Sequence, residues 1–122
     1  MSQPPRLRLR LRLDLGRSVM VGPGKADLLA AVVATGSITA AGRTMGMSYK
    51  RAWLLVDTMN RCFREPLVSA TKGGAGGGSA QLTPGGKRVL ELYRRIEARA
   101  AEACEGDVRE LAGLAADDAP EV

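Results

Sequence analysis

The chain contains no histidine, and aromatic residues make up only 3% of its 122 positions. Without histidine the most frequent general base and a principal zinc ligand are both missing. No nucleophile–base pair stands out and no carboxylate pair is placed in an obvious pocket, so an enzyme is not expected. The two cysteines, Cys62 and Cys104, lie 42 positions apart, which is not a metal-ligand spacing. They read as buried reduced thiols, and a cytoplasmic location goes with that reading. No uncharged apolar run reaches the roughly 18 residues of a membrane span. The Arg-rich N-terminus has no apolar stretch of the kind a secretory signal needs. Scarce aromatics also argue against single-strand binding, which stacks bases on exposed rings. The segment KGGAGGGS at 72–79 is rich in glycine but lacks the GK[ST] ending and the following helix of a phosphate loop.

What is present is positive charge, unevenly spread. The net charge is +5. Residues 16–72 hold eight basic against three acidic side chains, while residues 105–122 hold one against six. A basic body with an acidic tail suits a polyanion bound through its phosphates. Apolar residues make up 45% of the chain, enough for one modest core of aliphatic side chains and methionine.

Hydrophobic periodicity divides the chain into elements. Residues 6–15, RLRLRLRLDL, alternate strictly, which puts five leucines on one face of a strand and the arginines on the other. The arginine face looks at solvent or at an anion. VGPG at 21–24 reads as a turn. From Lys25 to about Thr35 the apolar spacing is helical, and Gly36 is a C-cap candidate. Ser37 is an N-cap for a helix over 38–45, stopped by Gly46. Ser48 caps a third helix from Tyr49 to about Cys62. Residues 67–71 and 80–82 pair as a hairpin around the glycine-rich tip. Thr83 caps a fourth helix with Pro84 in its first position. Val89, Tyr93, Ile96, Ala100 and Ala103 then recur at four-three steps, a short heptad seam that serves a partner helix or the domain's own body. A three-helix core followed by a two-stranded hairpin gives the expected fold: mainly α with a small β-sheet, a winged helix-turn-helix followed by a long C-terminal dimerisation helix. The expected divisions are a DNA-binding domain over 1–83, the long helix over 84–115, and a disordered acidic tail over 116–122.

The stretch SITAAGRTMGMSYKRAWLLVDTM, 37–59, carries the functional reading. Gly46 permits a positive φ in the turn, Met47 plugs the space between two helices, and Ala40 and Ala41 let them approach. At about 100° per residue, Ala52, Leu55, Val56 and Met59 share one face of the third helix. Lys50, Arg51, Leu54, Asp57 and Arg61 point away from it. Tyr49 and Trp53 fall on the border of the core. A recognition helix reads the major groove mainly with its first residues, here Ser48, Tyr49, Lys50 and Arg51. Lys50 or Arg51 suits guanine O6 and N7, and either suits a phosphate; the sequence leaves both open. Thr39 and Arg43 belong to the supporting helix, where Arg43 meets a phosphate or only water. Lys72 sits at the hairpin tip, placed for phosphates or a minor groove. Leu54 and Asp57 fit a DNA-facing role poorly: a thymine methyl is the one such option for Leu54, and Asp57 pairs with Arg61 or sits beyond the groove.

These residues resemble a known family. GSITAAGRTMGMSYKRAWLLVDTMN followed by LVSATKGGAGGGSAQLTPGGKRVLELY looks like the N-terminal DNA-binding domain of the molybdate-responsive ModE regulators, which is related to the LysR-type winged helix. The resemblance runs over about residues 16–100. It rests most on Gly-Met-Ser-Tyr-Lys at 46–50, Ala52-Trp53, Met59-Asn60 and the glycine-rich wing leading into Leu82-Thr83. It implies a homodimer held partly by the helix after the wing, and a first strand that completes the wing's sheet. It further implies double-stranded DNA contacted by Ser48, Tyr49, Lys50, Arg51 and the wing near Lys72, and target genes of molybdate uptake or molybdenum enzymes. The chain is too short for the C-terminal molybdate-binding domains of fully regulated members. No cofactor or metal is therefore expected, and molybdate sensing would fall to a separate protein or to none. The competing readings are a winged-helix protein-interaction module and a non-specific nucleic-acid binder.

Overall fold

Three hydroxyl side chains start three of the four helices. Ser37 accepts a hydrogen bond from the Ala40 N–H (3.1 Å), Ser48 from the Arg51 N–H (3.2 Å), and Thr83 from the Gly86 N–H (3.0 Å). Each satisfies one of the first-turn donors that a helix leaves without an internal partner. The computed structural model describes residues 8–16, 19–71, 78–118 and 120. Residues 72–77 of the glycine-rich tip, Lys72 included, lie outside these residues, as do the first seven residues and the last two.

In chain order the elements are β1 (Leu13–Asp14), β2 (Met20–Val21), α1 (Pro23–Thr35), α2 (Ile38–Thr44), α3 (Tyr49–Cys62), β3 (Val68–Thr71), β4 (Ser79–Leu82) and α4 (Pro84–Leu114). Helix α1 begins at Pro23, so half of the expected VGPG turn is helix, with proline in the first turn where its missing N–H costs nothing. Gly36 ends α1 in the left-handed conformation, and its N–H returns to the Val32 carbonyl (2.8 Å). Gly46 takes a positive φ of 72° in the turn between α2 and α3.

Helices α1, α2 and α3 and the hairpin β3–β4 enclose one core. It is built from Leu28, Leu29 and Val32 of α1, Ile38 and Ala41 of α2, Ala52, Val56 and Met59 of α3, and Leu67, Val68, Ala80 and Leu82 of the hairpin and the turn before it. Met45, Met47, Trp53 and Leu55 pack at its edge. The tight crossing of α2 and α3 depends on Gly42 as well as on the alanines: a Cβ there would stand 2.6 Å from the Ala52 Cβ. The first turn of α4 depends on Gly86 in the same way, because a Cβ there would overlap the Leu67 carbonyl oxygen. The Gly85-Gly86 pair, a weak helix start by propensity, is thus partly required by packing.

Two expectations about the N-terminus are corrected. Of the alternating segment 6–15, only Leu13–Asp14 is strand within the described residues, and it pairs antiparallel with Met20–Val21. This sheet is separate from the wing, whose β3 and β4 pair with each other alone (Val68 with Leu82 through Thr71 with Ser79). The first strand does not complete the wing's sheet. Further upstream the Leu11 carbonyl accepts a hydrogen bond from the Tyr93 hydroxyl (2.6 Å), so α4 captures the extended segment. Cys62 and Cys104 are free, but both are only half-buried.

The seam on α4 resolves into two parts. Val89 and Leu90 pack on the core, and Tyr93 is buried with Val21 and Ala26. Arg94 ties the helix to α1 through Asp27 (2.8 Å) and to its own next turn through Glu97 (3.0 Å). Beyond Glu97 the helix is mostly exposed, ending with Leu111 at 68% and Leu114 at 78% exposure.

Candidate nucleic-acid interface

Burial on α3 follows the helical pattern. Ala52, Val56 and Met59 are buried, Leu55 is half-buried, and Lys50, Arg51, Leu54, Asp57 and Arg61 are exposed. Tyr49, expected near the core, stands 61% exposed, its ring tilted 56° against that of Trp53 with centroids 6.2 Å apart. Trp53 keeps the border position, half-buried between the helix and the hairpin. Asp57 pairs with Arg61 at 3.2 Å, as one of its two readings required.

Charge is distributed by partner. On α4, Arg88, Arg94, Arg95 and Arg109 each hold a carboxylate. Among the described residues, Arg43 at the end of α2 and Lys50 and Arg51 at the start of α3 hold none, and neither do Lys87 and Arg99 of α4. Arg43, Lys50 and Arg51 are exposed. Unpaired cations at the N-terminal end of a helix, where the helix dipole is positive, favour phosphate oxygens.

A crevice of about 250 Å³ separates this helix start from the base of the wing. Its walls carry the hydroxyls of Ser37, Thr39, Tyr49, Thr71 and Ser79, with Trp53 at its side. Thr71 and Ser79 hydrogen-bond each other across the two strands (2.9 Å). The Trp53 Nε1 is buried and has no partner among the described residues. Hydroxyl donors in this arrangement can bind phosphate oxygens without adding charge. Of the expected contact residues, the fold brings Thr39 and Tyr49 into the crevice; Ser48 caps α3, and Lys50 and Arg51 follow exposed in its first turn without lining the crevice. Arg43 stands at the other end of α2, next to the turn into α3. Lys72 lies outside the described residues.

Three features escaped the sequence reading. Thr71 and Ser79 flank the glycine-rich tip, and that flanking pair was their only signal. Asn60, singled out as part of a motif, binds the start of β3: its Oδ1 accepts from the Leu67 and Val68 N–H groups (2.8 and 3.1 Å) and its Nδ2 donates to the Val68 carbonyl (3.1 Å). Gly42 and Gly86 carried no sequence signal beyond their small size. Among the described residues there is no group of three or more Cys, Asp or Glu side chains that could hold a metal ion. Among the described residues no helix is long and apolar enough to cross a membrane.

Comparison with known proteins gives the same frame. The profile of the bacterial regulatory helix-turn-helix proteins of the lysR family matches residues 25–87, from the start of α1 through the wing to the first turn of α4. The chain is 46% identical over 82 residues to the molybdenum-pterin-binding protein MopB of Rhodobacter capsulatus, covering 67% of this chain and 30% of that protein. It is 39% identical over 92 residues to the molybdenum transport protein ModE of Azotobacter vinelandii, covering 75% and 34%. It is 37% identical over 83 residues to the DNA-binding transcriptional dual regulator ModE of Escherichia coli K12, covering 68% and 32%. The chain spans about a third of the length of these relatives. With the helix-turn-helix, the wing and the unpaired cations in place, the chain belongs to the lysR family of bacterial regulatory helix-turn-helix proteins.

Proposed function

We propose that the chain is a cytoplasmic, non-catalytic regulator that binds an inverted-repeat operator in double-stranded DNA as a homodimer, and that its target genes serve molybdenum uptake or use. The observation that carries the DNA reading is the start of α3, where exposed Lys50 and Arg51 have no carboxylate partner among the described residues and follow Tyr49, which lines a hydroxyl-bearing crevice. Lys50 and Arg51 reach the major groove or its phosphates. Ser48, Tyr49 and Thr39 hold the phosphate that enters the crevice, and Arg43 grips the flanking backbone. Lys72 extends the contact through the wing tip.

The dimer rests on a second observation. Leu13, Leu15, Phe63, Val89, Leu92 and Ile96 line an almost wholly apolar groove on the side of α4. Leu15 is 57% exposed, and Leu92 and Ile96 are near 40%. A contiguous apolar patch of this kind marks an interaction surface. A second copy of the chain is the occupant that a two-fold repeat in DNA requires, with half-sites about 34 Å apart. The molybdenum link follows the relatives' names, and the effector reaches this DNA-binding unit through another domain or protein.

The test is a genome-wide DNA pull-down, followed by titration of the best fragment with wild type and with Lys50→Ala/Arg51→Ala. One enriched inverted repeat, bound at least about ten-fold more weakly by the double variant and with a salt slope reduced by about 0.9 for each lost phosphate contact, supports the proposal. Uniform, salt-sensitive binding leaves a non-specific binder. No binding at all leaves a protein-interaction module.

A further inference from the structure

The outward face of α3 carries one residue that phosphate binding does not explain. Lys50, Leu54, Asp57 and Arg61 recur at four-three-four steps and form a single stripe opposite the buried Ala52, Val56 and Met59. Three of the four are charged, and the Asp57–Arg61 pair cancels its own charge. Leu54, in the second turn, is 63% exposed. It lines neither of the crevices that flank α3. The other large exposed aliphatics lie elsewhere: Leu15, Leu92 and Ile96 edge the groove on α4, Leu111 and Leu114 end that helix, and Val33 is on α1. An exposed leucine is unremarkable on an arbitrary surface. Leu54 lies at the centre of the one stripe that a recognition helix turns toward base edges.

Among the base edges of the major groove, one apolar group stands out: the C5-methyl of thymine. We propose that Leu54 selects for thymine by packing its isobutyl group on that methyl. The inference rests on the DNA-binding reading above and adds a specificity residue to it. Four helical residues advance about 6 Å, close to two base-pair steps of about 3.4 Å. The thymine therefore lies within about two base pairs of the position reached by Lys50. With Arg61 neutralising Asp57 on the same stripe, no uncompensated carboxylate adjoins the contact. The contact adds base discrimination without adding a counterion-releasing charge.

The experiment removes the methyl and nothing else. In the selected operator each thymine of a half-site is replaced in turn by deoxyuridine, and both half-sites are changed symmetrically. Full-length wild type and Leu54→Ala are titrated against every fragment, with thermal melting as a check that the variant is folded. One replacement is expected to weaken wild-type binding by about four-fold per half-site, the value of one buried methyl group. The same replacement is expected to leave Leu54→Ala unchanged. Equal binding of all the deoxyuridine operators by wild type overturns the proposal while leaving sequence-specific binding intact. A penalty that persists in Leu54→Ala also overturns it, because another side chain then reads the methyl. Failure of wild type to select any operator removes the sequence-specific reading and this inference with it.

Discussion

Asn60, in the last turn of α3, holds Val68, the first residue of β3, by both of that residue's backbone groups. Its Nδ2 donates to the Val68 carbonyl and its Oδ1 accepts from the Val68 N–H, each at 3.1 Å, and Oδ1 also takes the Leu67 N–H at 2.8 Å. One side-chain amide thus does for the start of the wing what a neighbouring strand would do. The element that reads the groove and the element that follows the backbone are fixed to each other by this contact. Asn60→Ala is expected to lower stability by about 1–3 kcal/mol, since it leaves two N–H groups and a carbonyl without partners. It is also expected to weaken DNA binding beyond what that loss explains. Asn60→Asp keeps the acceptor but turns a carboxylate toward the Val68 carbonyl, and falls between alanine and wild type. Chemical unfolding and operator titration check the two effects; full DNA affinity in a folded Asn60→Ala would sink the coupling.

Neighbouring glycines at the start of α4 give opposite expectations. At Gly86 a Cβ would overlap the Leu67 carbonyl, and the backbone that must move is the strand entry held by Asn60. At Gly85 the nearest atoms to a Cβ are the Glu65 Oε2 at 3.5 Å and the Thr83 Oγ1 at 3.6 Å, which is ordinary contact. Gly86→Ala is expected to cost about 3 kcal/mol or more, in the range of overpacked sites. Gly85→Ala is expected to gain up to about 1 kcal/mol from helix propensity. Thermal melting of the two variants side by side checks the contrast, and similar melting points would contradict it.

How far the sequence revealed the fold depends on how local each signal is. Ser37, Ser48 and Thr83 were legible as caps because a cap is decided by a side chain and an N–H three residues on. The faces of α3 were legible because periodicity alone sets them. The strand at 6–15 was overextended because alternation marks a capacity to pair, whereas pairing needs a partner. Only Leu13 and Asp14 have one in β2, and the Leu11 carbonyl is taken by Tyr93, 82 residues away. The crevice was half legible for a related reason. Thr39 and Tyr49 belong to the helix-turn-helix, but Thr71 and Ser79 join them only through the folding of the wing.

The apolar groove on α4 gives a direct test of assembly. Ile96 is 40% exposed, and beside it Leu92 and Leu15 leave apolar surface facing water. Burying that surface in a second copy is favourable by about 25 cal/mol for each Å² removed from water. A carboxylate at its centre would have to be desolvated without a partner. Ile96→Asp is expected to shift the protein to monomer in sedimentation analysis while leaving its circular dichroism spectrum unchanged. Binding to an inverted repeat should fall far more than binding to a single half-site. A variant that sediments as wild-type dimer would place the interface elsewhere.

Tyr93 is buried, and its hydroxyl donates to the Leu11 carbonyl (2.6 Å). Burial raises its pKa above the usual value of about 10, and the nearby negative charge of Glu97 raises it further. The fold therefore favours the protonated phenol, which is also the form that can donate the hydrogen bond. Below about pH 10 the phenol is protonated in the folded and the unfolded chain, and its contribution to stability is fully present. Above that pH the unfolded chain loses the proton first, so stability falls as pH rises toward and through the folded-state pKa. The slope from this group cannot exceed about 1.4 kcal/mol per pH unit, the value for one whole proton. The comparison is with Tyr93→Phe, which keeps the ring and removes the titrating group. Urea unfolding from pH 8 to 11 should show wild type more stable at pH 8, with the difference shrinking as pH rises above 10. A constant gap across that range would mean that Tyr93 titrates alike in the folded and the unfolded chain, and would overturn the prediction.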